Sequence, residues 1–195
     1  MGEKSDKKRS FILDKAEEVF ERKGFMLVSM KDIVDACDIS RGGLYLYFNS
    51  TEELLLEVLK RKEEKEDNDN VFVGAMEKRA TSSDILALFL QEQKKELLNN
   101  SDSLTKATYE YFFAHTYKKS ENPLKQQFDA AVTIIKKLVE DGVKAGEFFC
   151  EDPMGYAYNI MYTLEGIRVM SQTIGMTEKE INKSILYMMT QLLPR

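Results

Sequence analysis

No segment of this 195-residue chain pairs period-two alternation with a two-residue hairpin turn, while apolar residues recur at helical spacing almost throughout. An all-α fold follows. The one hairpin-type dipeptide, Asp141-Gly142, falls inside a helical pattern. Helix punctuation is dense. Ile12, Ala16, Val19 and Phe20 form one face of a first helix that Gly24 can close in the left-handed region. Ser29, with Asp32 three residues on, starts a second helix, Asp38-Ile39 makes a tight turn, and Ser40 starts a third. After Asn49-Ser50, TEELLLEVLKRKEEKE runs from acidic to basic, as a helix dipole favours. Ser83 or Asp84 is expected to open the next helix, and Asp102 one that reaches about Lys118. Asn122-Pro123 and Asp152-Pro153 each place a cap before a first-turn proline, and Thr177 with Glu180 makes a capping box for the last helix. About nine helices are predicted.

Composition narrows the function classes. The chain is 43% hydrophobic and 31% charged, and its longest unbroken run of hydrophobic residues is the six from Ile85 to Leu90, far below the roughly 20 that span a membrane. Neither a membrane partner nor a signal peptide is expected. Cys37 and Cys150 are too few for a disulfide framework, which favours a reducing cytoplasm. One histidine, no phosphate loop and no metal-ligand spacing leave no assembled catalytic centre, so an enzyme is not expected and neither is a cofactor. The net charge of −5 argues, taken whole, against nucleic acid. Residues 1–48 nevertheless carry nine Lys/Arg and nine Asp/Glu, so the acidity belongs to the remaining 147 residues. Lys4, Lys7, Lys8 and Arg9 form a small basic arm.

Three short helices, the last two joined by a tight turn, have the layout of a helix-turn-helix. The third, SRGGLYLYF, carries two adjacent glycines, each costing about 1 kcal/mol in a helix relative to alanine. Close backbone approach to a phosphate chain or base edge supplies a reason, as does room for a neighbouring helix. The hydroxyls of Tyr45 and Tyr47 can hold phosphates without adding charge.

GFMLVSMKDIVDACDISRGGLYLYFNSTEEL resembles the helix-turn-helix of the TetR family of bacterial transcriptional regulators. Gly24-Phe25, the Ser29 cap, Ala36-Cys37-Asp38-Ile39-Ser40, Leu44-Tyr45-Leu46-Tyr47-Phe48 and Ser50-Thr51-Glu52-Glu53-Leu54 match the family pattern at fixed spacing. Asp38 replaces the usual turn glycine, and Thr51 replaces a common lysine that contacts phosphate. The resemblance implies a DNA-binding domain over residues 1–50, with its motif at about 29–48, and an effector-binding and dimerisation domain over 51–195. It implies that Ser29, Tyr45 and Tyr47 hold the DNA backbone with Lys31 assisting, and Ser40, Gly42, Gly43 and Thr51 are further candidate DNA contacts. Arg41 is the choice for base readout, because its fork can pair with a guanine edge. Leu44 and Phe48 are expected in the core.

A single helix-turn-helix reads few base pairs, so a homodimer on two operator half-sites is expected. The last two helices are its candidate interface, through Gly166 and the stripe Ile181, Ile185, Met188 and Met189, which intramolecular packing could equally claim. Tyr109, Phe112, Phe113 and His115, with Tyr158, Tyr162 and Glu165, are candidates to line a pocket for a small apolar or amphipathic effector. For any one aromatic, ordinary packing is the stronger expectation. Glu165 needs a partner, either a cationic ligand or, the preferred reading, Arg168 on the next turn. The expected function is a cytoplasmic bacterial repressor released from double-stranded DNA by its effector. The alternative is a factor of the same fold that organises DNA or recruits a protein without a small ligand.

Overall fold

The computed structural model describes residues 3–68, 80–98 and 104–192, which form two compact units. Among the described residues there are nine helices and no strand. The first unit holds 3–68 and 104–116 and the second 80–98 and 117–192. The first therefore extends beyond residue 50 and takes back a segment that the second unit's sequence flanks on both sides.

In the first unit, α1 (Glu3–Lys23) packs against α2 (Met30–Cys37), α4 (Thr51–Asn68) and α6 (Thr105–Ala114), while α2 packs against the short α3 (Arg41–Tyr45). The predicted face of α1 is the one that is buried. Ile12, Ala16 and Phe20 are fully enclosed, as are Ile33, Leu44, Phe48, Leu54, Leu55 and Val58. Burying each of these side chains other than that of Ala16 contributes about 1.5–3 kcal/mol. Gly24 ends α1 at φ +80°, a conformation that costs glycine little, and a Cβ there would lie 2.6 Å from a Glu110 carboxylate oxygen. That carboxylate accepts from the Met26 amide at 2.9 Å, and Lys106 Nζ donates to the Lys23 carbonyl at 3.2 Å. The turn after α1 is thus clasped by α6.

The second unit contains α5 (Ser82–Leu98), α7 (Pro123–Lys144), α8 (Pro153–Thr173) and α9 (Glu178–Thr190), with α5 packed against the other three and α7 along α8. Its core gathers Leu86, Leu90 and Leu97 with Val139, Ile160, Leu164, Ile181 and Met188. The Tyr156 hydroxyl donates to the Met188 carbonyl at 2.5 Å, tying α8 to α9. Asn122, Asp152 and Thr177 cap their helices as the sequence predicts, the last within a full capping box. Gly142 is helical and buried, and a Cβ there would collide with the Phe148 ring, which explains a glycine inside α7.

Two helix boundaries differ from expectation. Thr81, rather than Ser83 or Asp84, caps α5: its Oγ1 accepts from the Asp84 amide at 3.1 Å while the Asp84 carboxylate accepts from the Thr81 amide at 3.2 Å. Asp84 is the third-position partner, so the helix begins earlier. Asp102 lies outside the described residues. The helix after it stops at Ala114 instead of about Lys118, because His115 turns extended at φ −116°, ψ 133°.

Candidate nucleic-acid interface

Local hydrogen bonds place the residues of α2 and α3. At Ser29 the capping box is complete: the Asp32 carboxylate accepts from the Ser29 amide at 2.8 Å and from its hydroxyl at 2.7 Å, and Ser29 Oγ accepts from the Asp32 amide. Lys23 Nζ donates to the same carboxylate at 2.6 Å. The Lys23 hydrogen bond, followed by those from Ser29, holds the Asp32 carboxyl well below its usual range. Ser29 and Lys31 are both exposed at the start of α2. Because the Ser29 hydroxyl donates inward to Asp32, a phosphate there would meet the oxygen unless the rotor turned.

Asp38 adopts φ +51°, ψ +48°, the left-handed turn that its substitution for glycine had to allow. The chain then enters α3 through Ser40, whose Oγ accepts from the Gly43 amide at 3.1 Å. The two glycines differ. A Cβ on Gly42 would meet nothing within 4 Å, so its bare backbone faces open space, whereas a Cβ on Gly43 would lie 3.2 Å from Ser40 Oγ. Gly42 suits approach by an outside surface; Gly43 makes room for its own cap. Arg41 stacks on Tyr45, its guanidinium carbon 5.5 Å from the ring centre. Leu44 and Phe48 are fully buried, as expected. Tyr45 is exposed, Tyr47 half-buried, and Leu46, to which the motif assigns no role, is 83% exposed.

Thr51 is the first residue of α4 and half-buried. The cap of that helix is Ser50, whose Oγ accepts from the Glu53 amide at 3.1 Å. The basic arm is helical, forming the first two turns of α1. Arg9 turns inward, with Nη2 2.7 Å from Glu57 and its guanidinium 5.0 Å from the Phe48 ring centre, and Lys7 pairs with Glu3 at 2.7 Å.

The other candidates fall into separate groups. Tyr109, Phe112, Phe113 and His115 belong to the first unit, with Tyr109 and Phe113 at 6.1 Å and Phe113 86% exposed. His115 stacks on Tyr111 at 4.2 Å. Its Nδ1 lies 2.8 Å from the Tyr111 carbonyl and its Nε2 3.1 Å from Glu52 at the start of α4. Both ring nitrogens face acceptors, which only the protonated ring satisfies together, so the Tyr111 carbonyl and then Glu52 raise its pKa. No sequence signal joins His115 to Glu52, 63 positions away.

In the second unit Tyr158 and Tyr162 stack at 5.8 Å, and Phe128 lies 5.3 Å from Tyr162. Glu165 pairs with Arg168, which also reaches Gln93 at 2.8 Å and Glu96 at 3.6 Å, so the partner preferred for Glu165 is the observed one. Gly166 is exposed. Of the stripe assigned to dimerisation, Ile181 and Met188 are buried in the unit's own core, while Ile185 and Met189 are half-buried against it. Outward lie Leu186 and Tyr187 on α9, and Val169, Met170 and Ile174 on or after α8.

Capped α2, a left-handed turn and a capped α3 with an open outer edge define a helix-turn-helix DNA-binding protein. Residues 12–58 match the model of bacterial regulatory proteins of the tetR family, and residues 85–182 match a tetracyclin repressor-like C-terminal domain. The HTH-type transcriptional regulator YfiR of Bacillus subtilis (strain 168) is 31% identical over 156 residues, covering 78% of this chain and 73% of that protein. The chain belongs to the TetR family of transcriptional regulators. The fold likeness extends over nearly the whole chain. A transcriptional regulator from Saccharomonospora viridis, in complex with choline, has a TM-score of 0.79 at 18% identity, over 97% of this chain and 100% of that one. A TetR transcription regulator from Haloarcula marismortui has a TM-score of 0.77 at 17% identity, over 96% and 97%. Regulators of this family bind DNA operators and are dimeric.

Proposed function

We propose that this chain is a repressor that binds an operator as a homodimer and releases it when a small apolar or amphipathic effector binds the second unit. The observation that carries the DNA reading is the outer edge of α3, where Arg41, bare Gly42 and Tyr45 are presented by the Ser40 cap and the Asp38 turn. Arg41 reads a base edge, while Tyr45 and Tyr47 hold phosphates with help from Lys31 and the residues at Ser29 and Thr51. Dimerisation uses the outward face of α8 and α9, with Gly166 allowing close approach beside Met170, Leu186 and Tyr187.

Two observations support effector control. The Phe128, Tyr158 and Tyr162 rings offer flat apolar faces in the second unit, and the S. viridis neighbour holds choline, a cation of the kind that aromatic faces bind. In addition, α6 packs in the first unit although second-unit sequence flanks it on both sides, so the helix that clasps the Gly24 turn is covalently continuous with the second unit at each end. A coupling free energy of about 1–3 kcal/mol, common in allosteric proteins, would change operator affinity by roughly 5- to 150-fold.

The test begins by selecting duplexes from a random pool and measuring binding by fluorescence anisotropy. Tyr47→Phe is expected to weaken all duplexes alike, and aromatic-binding cations and acyl compounds are then screened for release. If no duplex is enriched over random sequence, the regulator reading fails. If DNA binds but no compound shifts affinity, effector control fails and a DNA-organising or protein-recruiting role takes its place.

A further inference from the structure

The reading helix ends on an exposed apolar side chain, that of its C-cap residue Leu46. In α3, Leu44 is wholly buried, and at roughly 100° per residue the positions two before and two after it lie nearly opposite. Those positions are Gly42 and Leu46. Gly42 has no side chain and open space beyond it, so nothing one turn earlier shields Leu46, which is 83% exposed. Arg41 and Tyr45, stacked on each other, occupy the adjoining strip. Three side chains therefore project from this short helix: a cation, a phenol and a branched aliphatic group.

Leu46 takes no part in the chain's own core, and its place in the Leu-Tyr-x-Tyr-Phe motif is the unspecified one. The major groove offers polar donors and acceptors at every base pair, but its apolar feature is the C5-methyl group of thymine. We infer that Leu46 is a specificity-determining residue that packs on a thymine methyl in each half-site. This inference rests on α3 being the reading helix and adds to it the chemistry of one recognised base. The contact replaces two wetted apolar surfaces by one dry one, and it discriminates because cytosine and the purines carry no methyl group at that edge.

The test uses the full-length protein and the duplex that it selects. Each thymine of the half-site is replaced in turn by deoxyuridine, which deletes the methyl group and leaves every hydrogen-bonding edge unchanged. One position per half-site is expected to weaken binding about fourfold, the effect of losing one buried methyl group. Leu46→Ala should bind deoxyuridine and thymine duplexes equally at that position, whereas Leu46→Met, which keeps an apolar end, should retain the difference. Because Leu46 is exposed, Leu46→Ala should unfold at the wild-type temperature. Undiminished deoxyuridine sensitivity in Leu46→Ala would overturn the proposal. So would a uniform loss of affinity on all duplexes, the sign of a sugar–phosphate contact. Failure of the wild type to select any duplex would instead remove the DNA reading itself, and this assignment with it.

Discussion

The reading helix and the last helix of the second unit contrast in how their functional faces arise. In α2 and α3 the capping and reading side chains are placed by partners no more than a few residues away: Ser29 by Asp32, Ser40 by the Gly43 amide, and Arg41 by the Tyr45 ring. In α9 the surface available to a partner is what remains after the core has taken Ile181 and Met188, leaving Leu186 and Tyr187 outside. Short-range chemistry specifies the first face; competition for burial specifies the second. A pattern of apolar residues thus identifies an interface only after the core has been accounted for.

The largest expected effect separates the two faces of α9. Leu186→Glu with Tyr187→Glu should convert dimer to monomer in sedimentation velocity with little change in unfolding, since both residues are exposed in the chain. Ile181→Ala should do the reverse, costing about 2–5 kcal/mol in urea unfolding while the dimer persists at protein concentrations where the fold holds. If Ile181→Ala dissociates a still folded protein, the inward assignment of that stripe is wrong. Next, Gly142→Ala should destabilise by about 1–3 kcal/mol, because its methyl group would displace the Phe148 ring. Pairing it with Phe148→Leu should recover part of the loss.

A smaller effect tests the short-range side of the contrast. Ser40→Ala removes the cap of α3 and should cost about 0.5–2 kcal/mol. It should weaken operator binding more than it weakens the fold. The smallest effect concerns His115, whose pKa is raised in the folded chain. Its contribution to stability is fully present below the unfolded value near 6.5 and is lost as pH rises through the folded value. Unfolding measured from pH 5.5 to 8.5 should show this slope in the wild type and lack it in His115→Gln. An unchanged slope in the variant would mean that the contacts of His115 with the Tyr111 carbonyl and Glu52 contribute nothing.

The same contrast explains what was legible in the sequence. The caps at Ser29, Ser40, Asn122, Asp152 and Thr177 were readable because each involves residues three positions apart. The cap of α5 is ambiguous in the sequence because Thr81, Ser82, Ser83 and Asp84 are all capping types, and only the reciprocal bonds between Thr81 and Asp84 decide among them. The end of α6 was not readable, since His115 leaves the helix with its ring held by Tyr111 and by the distant Glu52. The outward turn of Leu46 is not legible in the sequence for a related reason. A leucine at helical spacing reads as core, and only its placement two residues from buried Leu44 turns it outward. The helix-turn-helix and the all-α class depend on local rules and were visible from the start. The membership of α4 and α6 in the first unit depends on long-range packing and was not.

The most direct test of the central claim, that α3 reads base sequence through its open edge, is the specificity ratio of Arg41→Ala. Fluorescence anisotropy at one fixed salt concentration, on the selected operator and on a scrambled duplex of equal length, gives that ratio for the wild type and the variant. The ratio should fall by about tenfold or more in Arg41→Ala, the loss of one bidentate base contact per half-site, while affinity for the scrambled duplex changes far less. An unchanged ratio, with both duplexes weakened equally or neither weakened, would contradict it.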